Sequence, residues 1–256
     1  MTSRRTSDKL TGPFLRHIAI SPDKIDRNRY PFNIPAFSHG IDIRITSNVT
    51  FFVGENGSGK STLLEAIAES SGFNAEGGGH DHTFTDRKDK SDLSSVIHLS
   101  WLPKVTDGFF MRAESFYNFA SYIGQSGSDF RRYGGRSLHD QSHGESFLAL
   151  FSHRFNRGIY ILDEPEAALS PQRQLSFLAI IHRLETAGRA QFLVSTHSPI
   201  ILAYPGAVLL SLDGNEIREV HYVDADHYRV TRQFLTAPER YFKHLFSEES
   251  ADDDAT

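Results

Sequence analysis

A glycine-rich octapeptide, GENGSGKS at residues 54–61, narrows the folds open to this chain more than any other feature. It fits the pattern G-x-x-x-x-G-K-[ST], and it follows the apolar segment Val49–Val53. Glycines let backbone N–H groups turn toward phosphate oxygens, and a helix that begins at such a loop adds the positive end of its dipole. The pattern therefore predicts a strand, a phosphate-binding turn and a helix. The residues that we expect to bind the phosphates are Asn56, Gly57, Ser58, Gly59, Lys60, Ser61 and Thr62.

The last two residues of the octapeptide, Lys60 and Ser61, are the candidates to bind phosphate and metal. We expect the Lys60 side chain to reach the β- and γ-phosphates of a nucleotide and the Ser61 hydroxyl to bind Mg²⁺. The alternative is a glycine-rich turn that binds nothing, and the strand before the loop and the helix after it disfavour that alternative.

Two acidic residues follow a second apolar segment. Gly158–Asp163 is predicted to be a buried strand, and Glu164 comes directly after it. Ligands of open α/β sheets bind beyond the carboxyl ends of the strands. We therefore expect Asp163 to lie in the Mg²⁺ shell and Glu164 to act as general base toward an attacking water. An isolated pair of acids is more often a solvated turn, but the phosphate loop favours the catalytic interpretation.

Composition excludes several other classes of protein. The 256 residues include no cysteine, which excludes a disulfide framework, a thiolate zinc site and a cysteine nucleophile. The formal net charge of −5 excludes a uniformly basic nucleic-acid-binding protein. No apolar run approaches the roughly 20 residues that cross a bilayer, and the polar N-terminus is unlike a signal peptide. We expect a cytoplasmic protein.

Short apolar segments alternate with amphipathic ones along the chain, which predicts an α/β fold. Residues 72–92 and 124–141 are polar and are interpreted as loops. The expected strands are 16–20, 41–45, 49–53, 95–100, 158–163, 191–195, 207–212 and one near 216–221, and the expected helices are 61–69, 113–123, 144–155, 171–186 and two pieces that flank Pro238.

Further motifs, in a fixed order, resemble those of the ABC-type ATPases. Residues 141–146, QSHGES, resemble the signature sequence of that family, and Ser142 lies 21 residues before Asp163. Residues 168–171, ALSP, stand where the family has its D-loop, and Ser195-Thr196-His197 stands where it has its switch histidine. The resemblance covers about residues 14–212. It implies a P-loop NTPase fold of the ABC-ATPase type, with a mixed sheet core and a small helical subdomain.

The resemblance also implies a domain plan and a mechanism. It implies one ABC-type ATPase domain over residues 1–256, with the helical subdomain at about 105–157. The last ten residues contain five acids, and from this composition we expect an acidic, disordered tail at about 247–256. Two copies would dimerise head to tail around two ATP molecules. Ser142, Gly144 and Glu145 of one copy would contact the nucleotide on Lys60 of the other, and His197 would contact the γ-phosphate and orient the water.

The chain departs from the family pattern at several points. His143 replaces the first signature glycine and Ser170 replaces the usual D-loop aspartate. The glutamine expected after strand 95–100 is missing, and Arg112 or Glu114 is a candidate to substitute for it. The adenine-stacking aromatic is left open among Tyr30, Phe32 and Phe37.

Three biological interpretations remain open. The runs STHSP at 195–199 and DEPE at 163–166 resemble stand-alone and chromosome-maintenance ATPases, but no heptads for a coiled-coil arm separate Lys60 from Ser142. The chain is most similar to the AAA_21-like, SMC-related group of stand-alone bacterial ATPases, which implies an ATP-dependent homodimer acting on an unknown protein partner. It could instead be the nucleotide-binding subunit of an ABC transporter, which would meet a membrane only through a separate permease. The third interpretation is a DNA repair or defence ATPase, for which Arg131, Arg132 and Arg136 are candidate phosphate contacts.

Overall fold

The computed structural model describes residues 12–74, 91–112 and 143–247. The strands within these ranges are β1 Leu15–Ile20, β2 Ile41–Arg44, β3 Val49–Val53, β4 His98–Trp101, β5 Gly108–Arg112, β6 Gly158–Asp163, β7 Ala190–Ser195, β8 Val208–Ser211 and β9 Arg218–Val220. The helices are α1 Lys60–Ser70, α2 Asp92–Val96, α3 His143–Arg154, α4 Pro171–Thr186, α5 Pro199–Leu202, α6 Asp226–Thr236 and α7 Pro238–Ser247.

A six-stranded sheet in the order β5-β6-β7-β3-β8-β9 forms the centre of the fold. The first five strands in this order are parallel, and β9 pairs antiparallel with β8 at the edge. Every residue of β3, β6 and β7 is buried, as expected for parallel strands that are covered on both faces. Because these three strands are parallel neighbours, the segments that follow them meet at one edge of the sheet.

Side chains of the central strands alternate between two hydrophobic clusters, one on each face. Phe51 of β3 packs with the ring cluster of α3 and α4, in which Phe147 and Phe151 stack with centroids 4.5 Å apart. Phe52, the next residue, packs with α1 and the antiparallel sheet. The alternation follows from the two-residue period of a strand, and the two clusters hold the sheet between helices on one side and mixed structure on the other.

A second, three-stranded antiparallel sheet has the order β2-β1-β4. One buried side chain from β7, Gln191, connects it to the central sheet. Its Oε1 accepts hydrogen bonds from the backbone N–H groups of Phe14 and Leu15, at 2.9 and 2.8 Å, and its Nε2 donates to the Leu15 carbonyl at 2.9 Å. The amide thus satisfies three buried backbone groups and ties the two sheets together.

One local prediction was partly wrong and one strand was missed. The strand expected at 95–100 begins only at His98, as β4, because residues 92–96 form α2, which Ser91 caps by accepting a hydrogen bond from the Ser94 N–H at 3.3 Å. β5 was not predicted, and it lies within the stretch 105–157 that was assigned to a helical subdomain. Its apolar residues Phe109 and Phe110 are buried because the strand pairs in parallel with β6.

Several predictions fall outside the described residues. These are the helix at 113–123, the polar stretch 124–141 with its arginines, and the acidic tail beyond Ser247. The two helical pieces that flank Pro238 correspond to α6 and α7. In residues 12–74, 91–112 and 143–247, no helix has the combination of length and hydropathy that a membrane span requires.

Candidate active site

The octapeptide forms a tight loop between β3 and α1, as predicted. Gly59 has a φ of 101°, and a Cβ atom at this position would lie 2.7 Å from the Phe37 ring. Only glycine combines that backbone conformation with that close approach. The side chain of Lys60 is almost fully buried, and its Nζ donates to the carbonyl oxygens of Gly54 at 2.7 Å and Glu55 at 2.9 Å. The ammonium group of Lys60 therefore lies against the backbone of the loop's first two residues.

The charge on Lys60 is balanced by acids from two other segments of the chain, one at the end of β6 and one after β8. Burial lowers the pKa of Lys60, and the carboxylates of Glu164, Asp213 and Asp163 oppose that shift. The site therefore combines one buried cation with converging carboxylates.

Asp163 lies at the end of β6, facing the start of α1. The Ser61 hydroxyl donates to Asp163 Oδ1 at 3.1 Å, although the two residues are 102 positions apart in the chain. The Ser195 hydroxyl, in register with Asp163 on β7, donates to the same oxygen at 2.5 Å. Hydroxyl and carboxylate oxygens are donors that suit Mg²⁺, which usually takes one or two such protein ligands and completes its shell with water and phosphate oxygens. The described ranges hold no cluster of three or more His, Cys, Asp or Glu side chains that could bind a metal.

Glu164 has an unusual backbone conformation. It has φ 50° and ψ 54°, which makes it the one non-glycine residue of the described part of the chain with a positive φ. Its N–H donates to the Ser195 carbonyl at 3.1 Å, which holds the turn after β6 against the end of β7. Its carboxylate is 44% exposed, and Oε1 lies 3.4 Å from His197 Nε2. A left-handed conformation at a non-glycine residue costs energy and is typical of functional positions.

His197 contacts three other side chains, those of Glu166, His227 and Glu164. Its backbone N–H donates to Glu166 Oε1 at 2.6 Å, and its Nδ1 lies 3.0 Å from Nε2 of His227. Burial, the positive charge of Lys60 and the proximity of His227 lower the pKa of His197, while Glu164 opposes the shift. The charged form of the ring is therefore disfavoured, and its Nε2 lies 3.4 Å from Glu164 Oε1.

Two family models match the sequence. One, described as an AAA domain, matches residues 32–94, which include the octapeptide. The other, described as "AAA domain, putative AbiEii toxin, Type IV TA system", matches residues 97–203, which include Asp163, Glu164 and His197. The two matches cover consecutive halves of one site whose parts the parallel sheet brings together. These matches and the parallel-rich mixed sheet support the predicted P-loop fold of the ABC-ATPase type.

The solved structures to which the chain is similar are distant from it in sequence. CbiO1 from Clostridium perfringens, part of the ABC transporter complex CbiONQ, is 15% identical, with a TM-score of 0.49 over 91% of this chain and 99% of that one. The SMC head domain from Thermotoga maritima is 16% identical, with a TM-score of 0.45 over 81% of this chain and 98% of that one. No curated protein matches the sequence.

The helix α3, which starts at the signature-like sequence, packs on its own chain. Gly144 is so close to the D-loop region that a Cβ atom would lie 3.0 Å from the Ala168 carbonyl and 2.7 Å from the Arg173 side chain. Glu145 forms an ion pair with Arg173 at 3.1 Å. Ser142 lies outside the described residues. The contact of this segment with a nucleotide on a second copy therefore stays a prediction.

The structure separates the candidates that the sequence left open. Phe32 and Phe37 are buried in the core, whereas Tyr30 is 63% exposed and its hydroxyl lies 3.0 Å from Thr62 Oγ1, beside the phosphate loop. Arg112 is in register with Asp163, and its Nε lies 3.6 Å from Asp163 Oδ2. The other candidate for the missing glutamine, Glu114, lies outside the described residues.

Sequence reasoning missed two residues that contact the site. Asp213 Oδ1 accepts a hydrogen bond from the Glu55 N–H at 2.8 Å and so holds the start of the phosphate loop. An aspartate before Gly214 signals only a turn. His227 lies on α6 among polar residues, and nothing in its local sequence indicates that it contacts His197. Both contacts depend on which strands are neighbours and on where the chain goes after the last strand.

Proposed function

We propose that this ABC-type ATPase domain binds Mg²⁺·ATP and hydrolyses it. The observation that supports this most strongly is the hydrogen bond from Ser61 to Asp163, because it joins the two expected Mg²⁺ ligands from distant parts of the sequence. Lys60 lies beside them, with its ammonium group on the loop that would hold the phosphates.

Each neighbouring side chain has a role in this proposal. Lys60 would exchange its two loop carbonyls for β- and γ-phosphate oxygens, and bound Mg²⁺ would neutralise charge on those oxygens. Glu164, partly exposed, would accept the proton of the attacking water. His197 would donate from Nε2, which is buried and lies 3.4 Å from Glu164 Oε1. Tyr30 would stack against the base.

The acceptor of the proton can be tested directly. We expect Glu164→Gln to bind ATP as tightly as the wild type while its turnover falls by about 10²- to 10⁴-fold, because an amide cannot accept the proton. Phosphate release and binding of a fluorescent ATP analogue measure the two properties separately. Glu216→Gln, at an exposed glutamate, is the matched control and should turn over normally. Failure to bind ATP in the wild type contradicts the proposed function, and normal turnover of Glu164→Gln contradicts the role of Glu164.

We also propose that the active species is a head-to-tail homodimer. The start of α3 packs against its own D-loop region, and its N–H groups can bind an anion supplied by a second copy. Light scattering of Glu164→Gln should show a monomer that becomes a dimer only with Mg²⁺·ATP. Mixed dimers of Ser142→Arg and Lys60→Ala should regain one working site, and no recovery in the mixture would contradict the arrangement.

Exposed apolar side chains on the C-terminal helices support the proposal of a protein partner. Apolar side chains on α6 and α7 are largely exposed, which is unusual for a surface without a partner. They are Val230, Leu235, Phe242, Leu245 and Phe246. We propose that ATP-driven dimerisation changes how these helices are presented to a partner protein.

A further inference from the structure

We infer that His227 is a positioning residue for the switch histidine: its Nε2–H donates to Nδ1 of His197 and holds Nε2 of that ring toward the site of hydrolysis. This inference rests on the proposed function for its catalytic consequence. The contact itself does not depend on that function and can be tested without it.

The geometry of the two rings is well defined. His197 Nδ1 lies 3.0 Å from His227 Nε2, and the ring centroids are 4.5 Å apart with planes at 81°. An edge-on approach of this kind directs one ring nitrogen at the other. On the opposite side of His197, Nε2 lies 3.4 Å from Glu164 Oε1. The three side chains thus form the line His227, His197, Glu164.

The chemistry of the two ends determines where the protons lie. The carboxylate of Glu164 can only accept hydrogen bonds, so it favours a proton on Nε2 of His197. A neutral imidazole that carries its proton on Nε2 has an accepting Nδ1. His227 must then be the donor, and its hydrogen bond further stabilises the tautomer of His197 that can donate to a γ-phosphate or to a water.

His227 is carried on a segment that is anchored directly to the switch loop. The Tyr222 hydroxyl donates to the carbonyl of Pro199, two residues after His197, at 3.0 Å. Ala225 is buried in the core cluster, and α6 begins at the next residue, which leaves His227 in the first turn of the helix. The position of α6 therefore determines whether the switch histidine is correctly oriented.

The test compares three substitutions of one side chain. His227→Leu removes the donor, His227→Gln retains an amide N–H at about the same reach, and His227→Asn is too short to make the contact. We expect turnover to fall about 5- to 10-fold in His227→Leu and His227→Asn, because each loses one hydrogen bond. ATP affinity should be unchanged in these variants, and His227→Gln should retain most of the turnover. His221→Leu, the same change at an exposed histidine nearby, should behave as wild type.

A spectroscopic readout keeps the contact separate from the activity. In protein with ¹⁵N-labelled histidine, the His197 signals are assigned by their loss in His197→Gln. We expect a fixed Nε2–H tautomer in the wild type and in His227→Gln, and a mixture of tautomers in His227→Leu and His227→Asn.

The outcomes distinguish the two proposals. An unchanged tautomer in His227→Leu overturns the inference, whether or not the protein hydrolyses ATP. Altered tautomers with unchanged turnover overturn the positioning role alone. A wild type that shows the fixed tautomer but no ATPase activity contradicts the proposed function and leaves the contact between the two histidines established.

Discussion

Replacing Gln191 with methionine should strongly destabilise the protein. The Gln191 side chain is fully buried, and it forms three hydrogen bonds of 2.8 to 2.9 Å with the backbone groups of Phe14 and Leu15. Methionine has a similar length and leaves little empty space. The change therefore tests the polar contacts rather than the packing.

The size of the effect follows from what the substitution leaves behind. Each buried backbone group that loses its partner costs about 1 to 3 kcal/mol, so three such groups cost about 3 to 6 kcal/mol after local relaxation. Domains are typically stable by about 5 to 15 kcal/mol, so the variant should lose a large share of its free energy of unfolding.

Urea denaturation followed by tryptophan fluorescence measures this loss. The single tryptophan, Trp101, lies on β4 opposite Leu15, in the sheet that Gln191 anchors. The matched control is Gln172→Met at an exposed position of α4, which should change stability by less than about 0.5 kcal/mol. A loss below about 1 kcal/mol for Gln191→Met would refute the reasoning, because the backbone groups would then have found other partners.

Three further predictions concern the site. Gly59→Ala should lower the free energy of unfolding by about 1 to 3 kcal/mol more than Gly57→Ala, because both have positive φ but only at Gly59 would the new Cβ meet Phe37; equal losses in urea would contradict this. Burial raises the pKa of Glu166, so its ionisation in the folded state destabilises the protein as pH rises above the usual carboxyl range. The free energy of unfolding of Glu166→Gln, minus that of the wild type, should therefore be larger at pH 8 than at pH 4. A difference that does not vary with pH would argue against a raised pKa. Tyr30→Ala should weaken ATP binding about 2- to 10-fold, the strength of one ring stack, while Tyr30→Phe retains it; equal affinity of the Ala variant in a binding titration would remove Tyr30 from the site.

Short sequence patterns predicted the structure correctly where the residues that define an element are consecutive in the chain. The octapeptide needs a strand, a turn and a helix that are consecutive in sequence, and this is the structure that β3 and α1 have. The continuous apolar run before Asp163 identified β6 for the same reason. Local pattern failed at β5, whose identity as a strand depends on a neighbour some 50 residues away in sequence.

The amino-acid sequence by itself determined which side chains could bind phosphate, Mg²⁺ and water, because residue type and spacing along one strand or loop specify that chemistry. It also determined the fold class, through the order of its motifs. The tertiary structure alone decided which distant residues meet: Asp213 under the phosphate loop, Gln191 between the sheets and His227 behind His197. These contacts depend on the order of strands in the sheet and on the path of the C-terminal segment. Packing of the whole chain sets both, and no local pattern encodes them.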